Sequence, residues 1–87
     1  MAYRIEIKRS ARKEMQTLLR REQRRIATAI EALAEEPRPA GVRKIIGADD
    51  LYRLRVGDYR VVYQICDRKL IVLIIRIAHR KDVYRGL

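Results

Sequence analysis

Eighty-seven residues with 21 Lys and Arg against 11 Asp and Glu carry a net charge of +10, a balance that selects a polyanion or an acidic protein as partner. The length suits one small domain over residues 1–87 with one modest core, and the 48% hydrophobic content can build it. A single cysteine, Cys66, excludes a disulfide framework and a multi-cysteine zinc site, while the lack of a signal-peptide core or a membrane-length apolar run makes the cytoplasm the expected compartment, with no membrane association.

Tyr3, Ile5 and Ile7 alternate with Arg4, Glu6 and Lys8, the period of a half-buried strand. Ser10 offers an N-cap to a helix with Ala11, Met15, Leu18 and Leu19 on one face, and Arg20-Arg21-Glu22 interrupts that face. Ile26, Ala29, Ile30 and Leu33 then recur at helical spacing. Pro37 and Pro39 end the pattern, because proline lacks a donor and disfavours helix in the residue before it. Together these two helices read as an αα-hairpin.

Residues 38–50 read as a loop punctuated by Gly41, Gly47 and Asp49-Asp50, with room for a short extended piece over 42–46. Three strands follow, over 52–56, 59–66 and 69–78. Gly57-Asp58 suits a type II′ hairpin turn, and Asp67-Arg68 makes the next turn. The third strand is apolar on both faces from Leu70 to Ile75, which predicts a central position in the sheet. The last residues form a short helix or an ordered tail. The order βααβββ defines an α+β fold, an antiparallel-rich twisted sheet with the helical hairpin on one face and the other face partly open.

The chain has no Gly-rich phosphate loop, no Ser/His/Asp set and one histidine, His79. Its acids are scattered, so neither a metal nor another cofactor is expected. What remains is cationic: Arg53 and Arg55 share one strand face, Arg60 follows the turn, and His79, Arg80 and Lys81 follow the last strand. Such groups suit RNA. The 2′-OH is a nucleophile built into the substrate, and guanidinium groups stabilise the charge of a pentavalent phosphorane. Tyr59, Tyr63 and Tyr84 are the available stacking groups. Alternation sets Tyr63 with Val61 and Ile65, and Tyr52 with Leu54 and Val56, which favours core roles for both. Arg53 and Arg55 equally suit the solvent face of an edge strand, Arg60 a structural cation, and His79 a plain strand end.

The run Gly57-Asp58-Tyr59-Arg60-Val61-Val62-Tyr63-Gln64-Ile65, with Ile74-Ile75-Arg76-Ile77-Ala78-His79-Arg80-Lys81-Asp82-Val83-Tyr84, resembles the RelE family of toxins from type II toxin–antitoxin pairs. The likeness extends to Met1-Ala2-Tyr3 and the helical segment ending at Pro37, nearly the whole chain. It implies a microbial-RNase-like fold and a ribosome-dependent, metal-independent mRNA endonuclease that cuts the A-site codon by 2′-OH attack. It also implies a cognate antitoxin that wraps and blocks the toxin. The family's basic strand positions fall on Arg53 and Arg55, its transition-state arginine on Arg60, its C-terminal arginine on Arg80 and its tyrosine on Tyr84. Well-studied members carry lysines at the first two positions. Arginine does not surrender a proton, so Arg53 and Arg55 act as electrostatic stabilisers, and the general base is Tyr84, His79 or none.

Catalysis therefore centres on Arg53, Arg55, Arg60, Arg80 and Tyr84, and nucleic-acid contact on Arg53, Arg55, Arg60, His79, Arg80 and Lys81. The related ParE branch, which inhibits DNA gyrase by binding alone, is the alternative. A third reading is a ribosome- or RNA-binding module that does not cut. On charge alone, an acidic, partly disordered antitoxin segment that folds over the cations is the expected protein partner, beside ribosome and mRNA.

Overall fold

A computed structural model of the protein describes residues 2–83. They form β1 (Arg4–Ile7), α1 (Arg9–Gln16), α2 (Arg20–Ala32), β2 (Arg43–Lys44), β3 (Leu51–Val56), β4 (Tyr59–Cys66) and β5 (Ile71–His79). The strands make one sheet in the order β1-β5-β4-β3-β2. Only the β1–β5 pair is parallel; the other three pairs are antiparallel. The expected α+β architecture is thus observed. β5 does not take the expected central place, which falls to β4; it lies between β1 and β4.

Several boundaries differ from expectation for local reasons. Ser10 lies inside α1, whose cap position is Lys8, with no described side chain capping it. Leu19 does not extend the first apolar face: it is the cap residue of α2 and stands 70% exposed. Arg20, Arg21 and Glu22 are the first turn of α2 rather than an interruption of α1. Lys69 and Leu70 belong to the turn before β5, where Leu70 takes φ 53° and its N–H reaches the Asp67 carbonyl. The two-residue β2 pairs Arg43 with Arg53 and Lys44 with Tyr52. It therefore covers β3, and Arg53 does not lie on a sheet edge.

The core lies between the helices and one sheet face. Ala11, Ile26, Ile30 and Leu33 from the helical side meet Val56, Val61, Tyr63, Ile65, Val72, Ile74 and Ile77 from the sheet. Strand alternation selects the sheet residues, and 3.6-residue spacing selects the helical ones. Val62, of opposite register to Val61, is also buried but stands outside this cluster. Burying each isoleucine side chain contributes about 1.5–3 kcal/mol.

A polar lock closes the far end of the molecule. Arg38 donates from both Nη atoms to the Asp67 carboxylate at 3.3 and 2.9 Å and from Nε to the Tyr52 hydroxyl at 3.1 Å. The Tyr3 hydroxyl donates to the same Asp67 at 2.6 Å. Tyr63 donates to the Pro37 carbonyl at 2.7 Å and stacks on Tyr52. These contacts tie the loop leaving α2 to the sheet, and through that loop they set where Gly41 and Arg43 lie.

The Asp67 carboxyl is held below its ordinary range, first by Arg38 and then by the Tyr3 hydroxyl. A depressed folded-state value adds stability that is present above the unfolded value of about 4 and is lost as pH falls through the folded value. Melting temperatures of the wild type and Asp67→Asn should therefore differ near neutral pH and converge at lower pH, below the ordinary carboxylate range. A gap that stayed constant well below that range would assign Asp67 no linked role.

Candidate nucleic-acid interface

Register decides which cations share a face. Arg43 pairs with Arg53, Arg53 with Val62, and Arg55 with Arg60. Cross-strand neighbours present their side chains to the same side, so Arg43, Arg53, Arg55 and Arg60 stand together on the sheet face away from the helices. With Gly41 they line a hollow of about 240 Å³. An adjoining groove of about 700 Å³ shares Arg43 and Arg53 and adds Lys44, Ile45 and Ile46. Ile46 is fully exposed.

Arg60 is held by its own turn. Its Nη1 donates to the Gly57 carbonyl at 3.2 Å and to the Tyr59 carbonyl at 3.0 Å. Gly57 takes φ 60° and Asp58 does not share that sign, as a type II′ turn requires. A Cβ on Gly57 would also come within 3.1 Å of the Arg25 guanidinium, an exposed group that can give way, so it is the left-handed backbone that favours glycine here. Burial lowers the Arg60 pKa first, and the fields of Arg55, Arg53 and Arg80 lower it further, partly offset by Asp58. The group remains a cation. Its environment is one that an incoming anion would relieve.

The structure thus brings Arg53, Arg55, Arg60 and Arg80 together. The Arg80 N–H donates to the Asp58 carbonyl at 2.8 Å, which seats it beside the turn that carries Arg60. Lys81 follows and is exposed. Tyr84 lies outside the described residues. His79 pairs with Tyr59, makes an edge contact with its ring at 5.8 Å, and accepts the Lys81 N–H on Nδ1 at 3.2 Å. That register sets His79 on the helical side of the sheet, across from Arg60. Tyr63 is fully buried in the core. Tyr59 is half-buried beside His79.

Two cations escaped sequence reasoning. Arg43 was hidden because the signal for β2 is only two residues long. Arg76 pairs with Val62, and as the one charged residue in an apolar strand it was the available signal. Among the described residues, no group of three His, Cys, Asp or Glu side chains gathers where a metal ion could be held, and no helix is long and apolar enough to cross a membrane.

Fold and site together define a small basic α+β protein with an arginine cluster on the sheet face away from the helices. A family model for the ParE toxin of the parDE type II toxin–antitoxin system matches residues 5–84. The chain belongs to this RelE/ParE family of type II toxins. It is 27% identical to a Methanocaldococcus jannaschii protein named as a RelE1 toxin, over 99% of both chains. An Escherichia coli protein named as RelE-like is 31% identical, with 97% of this chain and 92% of that one covered. The RelE–RelB complex of Pyrococcus horikoshii superposes with a TM-score of 0.82 at 34% identity, covering 92% of this chain and 97% of that one. The intact E. coli RelBE toxin–antitoxin complex gives 0.78 at 30% identity, covering 90% and 96%.

Proposed function

We propose that this protein is a ribosome-dependent mRNA endonuclease, a toxin that stops translation by cutting message in the A site. The observation that carries this reading is the convergence of Arg53, Arg55, Arg60 and Arg80 on one side of the sheet, with Arg60 held by two backbone carbonyls. The 2′-OH of the message attacks the adjacent phosphorus, the P–O5′ bond breaks, and a 2′,3′-cyclic phosphate and a 5′-OH result. Arg60 faces the phosphorane oxygens, and Arg53 and Arg55 neutralise the flanking phosphates. Arg80 supports the leaving side. Preorganised donors of this kind stabilise charge only as it develops.

The proposal assigns proton transfer to Tyr84 or to no protein group. His79 points to the other face of the sheet and serves at most as a rim contact with Lys81. No metal or organic cofactor takes part. Cytoplasmic location follows from this reading, since translating ribosomes are the substrate. A cognate antitoxin completes the system: relatives from P. horikoshii and E. coli are seen in complex with RelB, and a net charge of +10 favours an acidic partner that covers the arginines.

The outward faces of both helices add a second cationic surface. Arg9, Arg12, Lys13, Arg20, Arg21, Arg24 and Arg25 are all exposed, whereas Glu14 and Glu22 are partly buried. Arg20/Arg24 and Arg21/Arg25 are like-charge pairs four residues apart, a spacing that destabilises an isolated helix. Their presence suits contact with ribosomal RNA phosphates.

One observation favours a second reading. The matching family model is that of the ParE toxin, and under it the same face binds DNA gyrase without cutting RNA. Mapping mRNA 5′-ends after adding the protein to translating ribosomes, with naked mRNA in parallel, separates the two. Cuts confined to translated message are the expected result. Uncut message together with stoichiometric inhibition of supercoiling would replace this function with the gyrase reading.

A further inference from the structure

Where β1 ends, β5 goes on with β4 as its one strand neighbour among the described residues. The parallel register closes at Ile7 opposite Ile74, and the Lys8 N–H donates to the Ile74 carbonyl at 2.9 Å before the chain turns into α1. Among the described residues, no strand therefore lies beside residues 75–79 on that edge. The β4–β5 register also shifts here: Tyr63 faces Ile74, yet Val62 faces Arg76, leaving one extra residue on β5. Bulges of this kind recur beside functional sites, where they re-aim the strand that follows.

Glu14 of α1 takes the place of the missing strand. Its Oε1 accepts the Ile77 N–H at 2.9 Å, and its Oε2 lies 3.4 Å from Arg76 Nε. Ile77 is buried, so its N–H is a donor that water does not serve. Arg76 Nε is buried too and makes no hydrogen bond among the described residues, so the Glu14 carboxylate is its compensating charge. Immediately beyond this clamp, Ala78 stands opposite Arg60, His79 opposite Tyr59, and the Arg80 N–H reaches Asp58. The direction in which β5 leaves the bulge thus sets both the strand beside Arg60 and the seat of Arg80.

We infer that Glu14 is a positioning residue for the arginine cluster: through the Ile77 amide it holds the end of β5 so that Arg80 stands beside Arg60. This rests on the endonuclease reading above. Glu14 touches no substrate, and it acts at a distance through one backbone hydrogen bond. A displacement of about 1 Å at a reacting centre can lower a rate by about 10².

The test is single-turnover cleavage of message on translating ribosomes by wild type, Glu14→Ala, Glu14→Gln and Arg60→Ala, with ribosome concentration varied and all variants held well below their melting temperatures. Glu14→Ala should lower the maximal rate roughly ten- to a hundredfold and leave the half-saturating ribosome concentration unchanged. Glu14→Gln retains an oxygen for the Ile77 N–H and should recover most of the rate despite losing the charge beside Arg76. A merely stabilising Glu14 would shift melting temperature in both variants and the maximal rate in neither. If Glu14→Ala does not fold, Glu14→Asp replaces it, since a carboxylate one methylene shorter withdraws the acceptor. Wild-type rates in Glu14→Ala or Glu14→Asp, with Arg60→Ala inactive, would overturn this inference alone. A wild type that cuts no translated message would overturn the function together with it.

Discussion

Arg60→Ala should lower the cleavage rate on translating ribosomes by roughly 10²–10³-fold, the usual cost of deleting one preorganised donor to a developing anion. The size follows from how the group is held. One Nη is committed to the Gly57 and Tyr59 carbonyls, which leaves Nε and Nη2 to face a phosphate without first losing rotamer freedom. Arg60→Lys should fall nearly as far, because an ammonium cannot both bridge two carbonyls and present a planar fork. Arg60→Ala should not unfold the protein. The fields of Arg55, Arg53 and Arg80 already oppose charge at position 60, so relief of repulsion offsets the two lost hydrogen bonds. A rate equal to wild type in Arg60→Ala, with the melting temperature preserved, would remove Arg60 from the chemistry.

Tyr63→Ala should cost about 3–5 kcal/mol, the range for truncating a large buried aromatic. Among the described residues, Tyr63 is the largest fully buried side chain. It stacks on Tyr52 and ties the loop after α2 to the sheet through the Pro37 carbonyl. Small domains hold only about 5–15 kcal/mol in total, so the variant should lose a large share of the fold's stability. Tyr63→Phe keeps the ring and removes only the hydroxyl, leaving the Pro37 carbonyl short of a donor at about 1–3 kcal/mol. Burial raises the Tyr63 phenol above the usual tyrosine range, so the hydroxyl remains a donor throughout the working pH. Urea unfolding of the three proteins measures both steps. A Tyr63→Ala midpoint close to wild type would show that the lock does not hold this end of the fold.

Much of the architecture was legible because it rests on short-range period. Alternation marked β1, β3 and β4, and 3.6-residue spacing marked the apolar faces of both helices. The unbroken apolar run marked β5 as a buried strand but placed it at the centre, where β4 lies. Errors fell where local signals compete. Ser10 is a good cap residue, yet the helix begins at Arg9, because β1 ends against β5 and α1 starts at once. Leu19 fits the apolar period of α1, yet the chain turns there and exposes it. Arg43 lies in a segment too short to carry any period.

The composition of the site is written in the residues: arginines at alternate positions of β3, one after a glycine turn, one after the last strand, and a charge that calls for a polyanion. The fold class is legible there as well, since each element's apolar period is written in its own residues. Which cations meet was decided only by tertiary structure. Antiparallel pairing set Arg55 against Arg60, and β2 brought Arg43 to Arg53. The same pairing sent His79 to the helical face with Tyr59. Glu14 acquired its role only because α1 packs against the edge that β1 leaves open. Pairing partners and register are set by contacts between residues distant along the chain, and a period of two or 3.6 residues carries no information about which distant strand lies alongside.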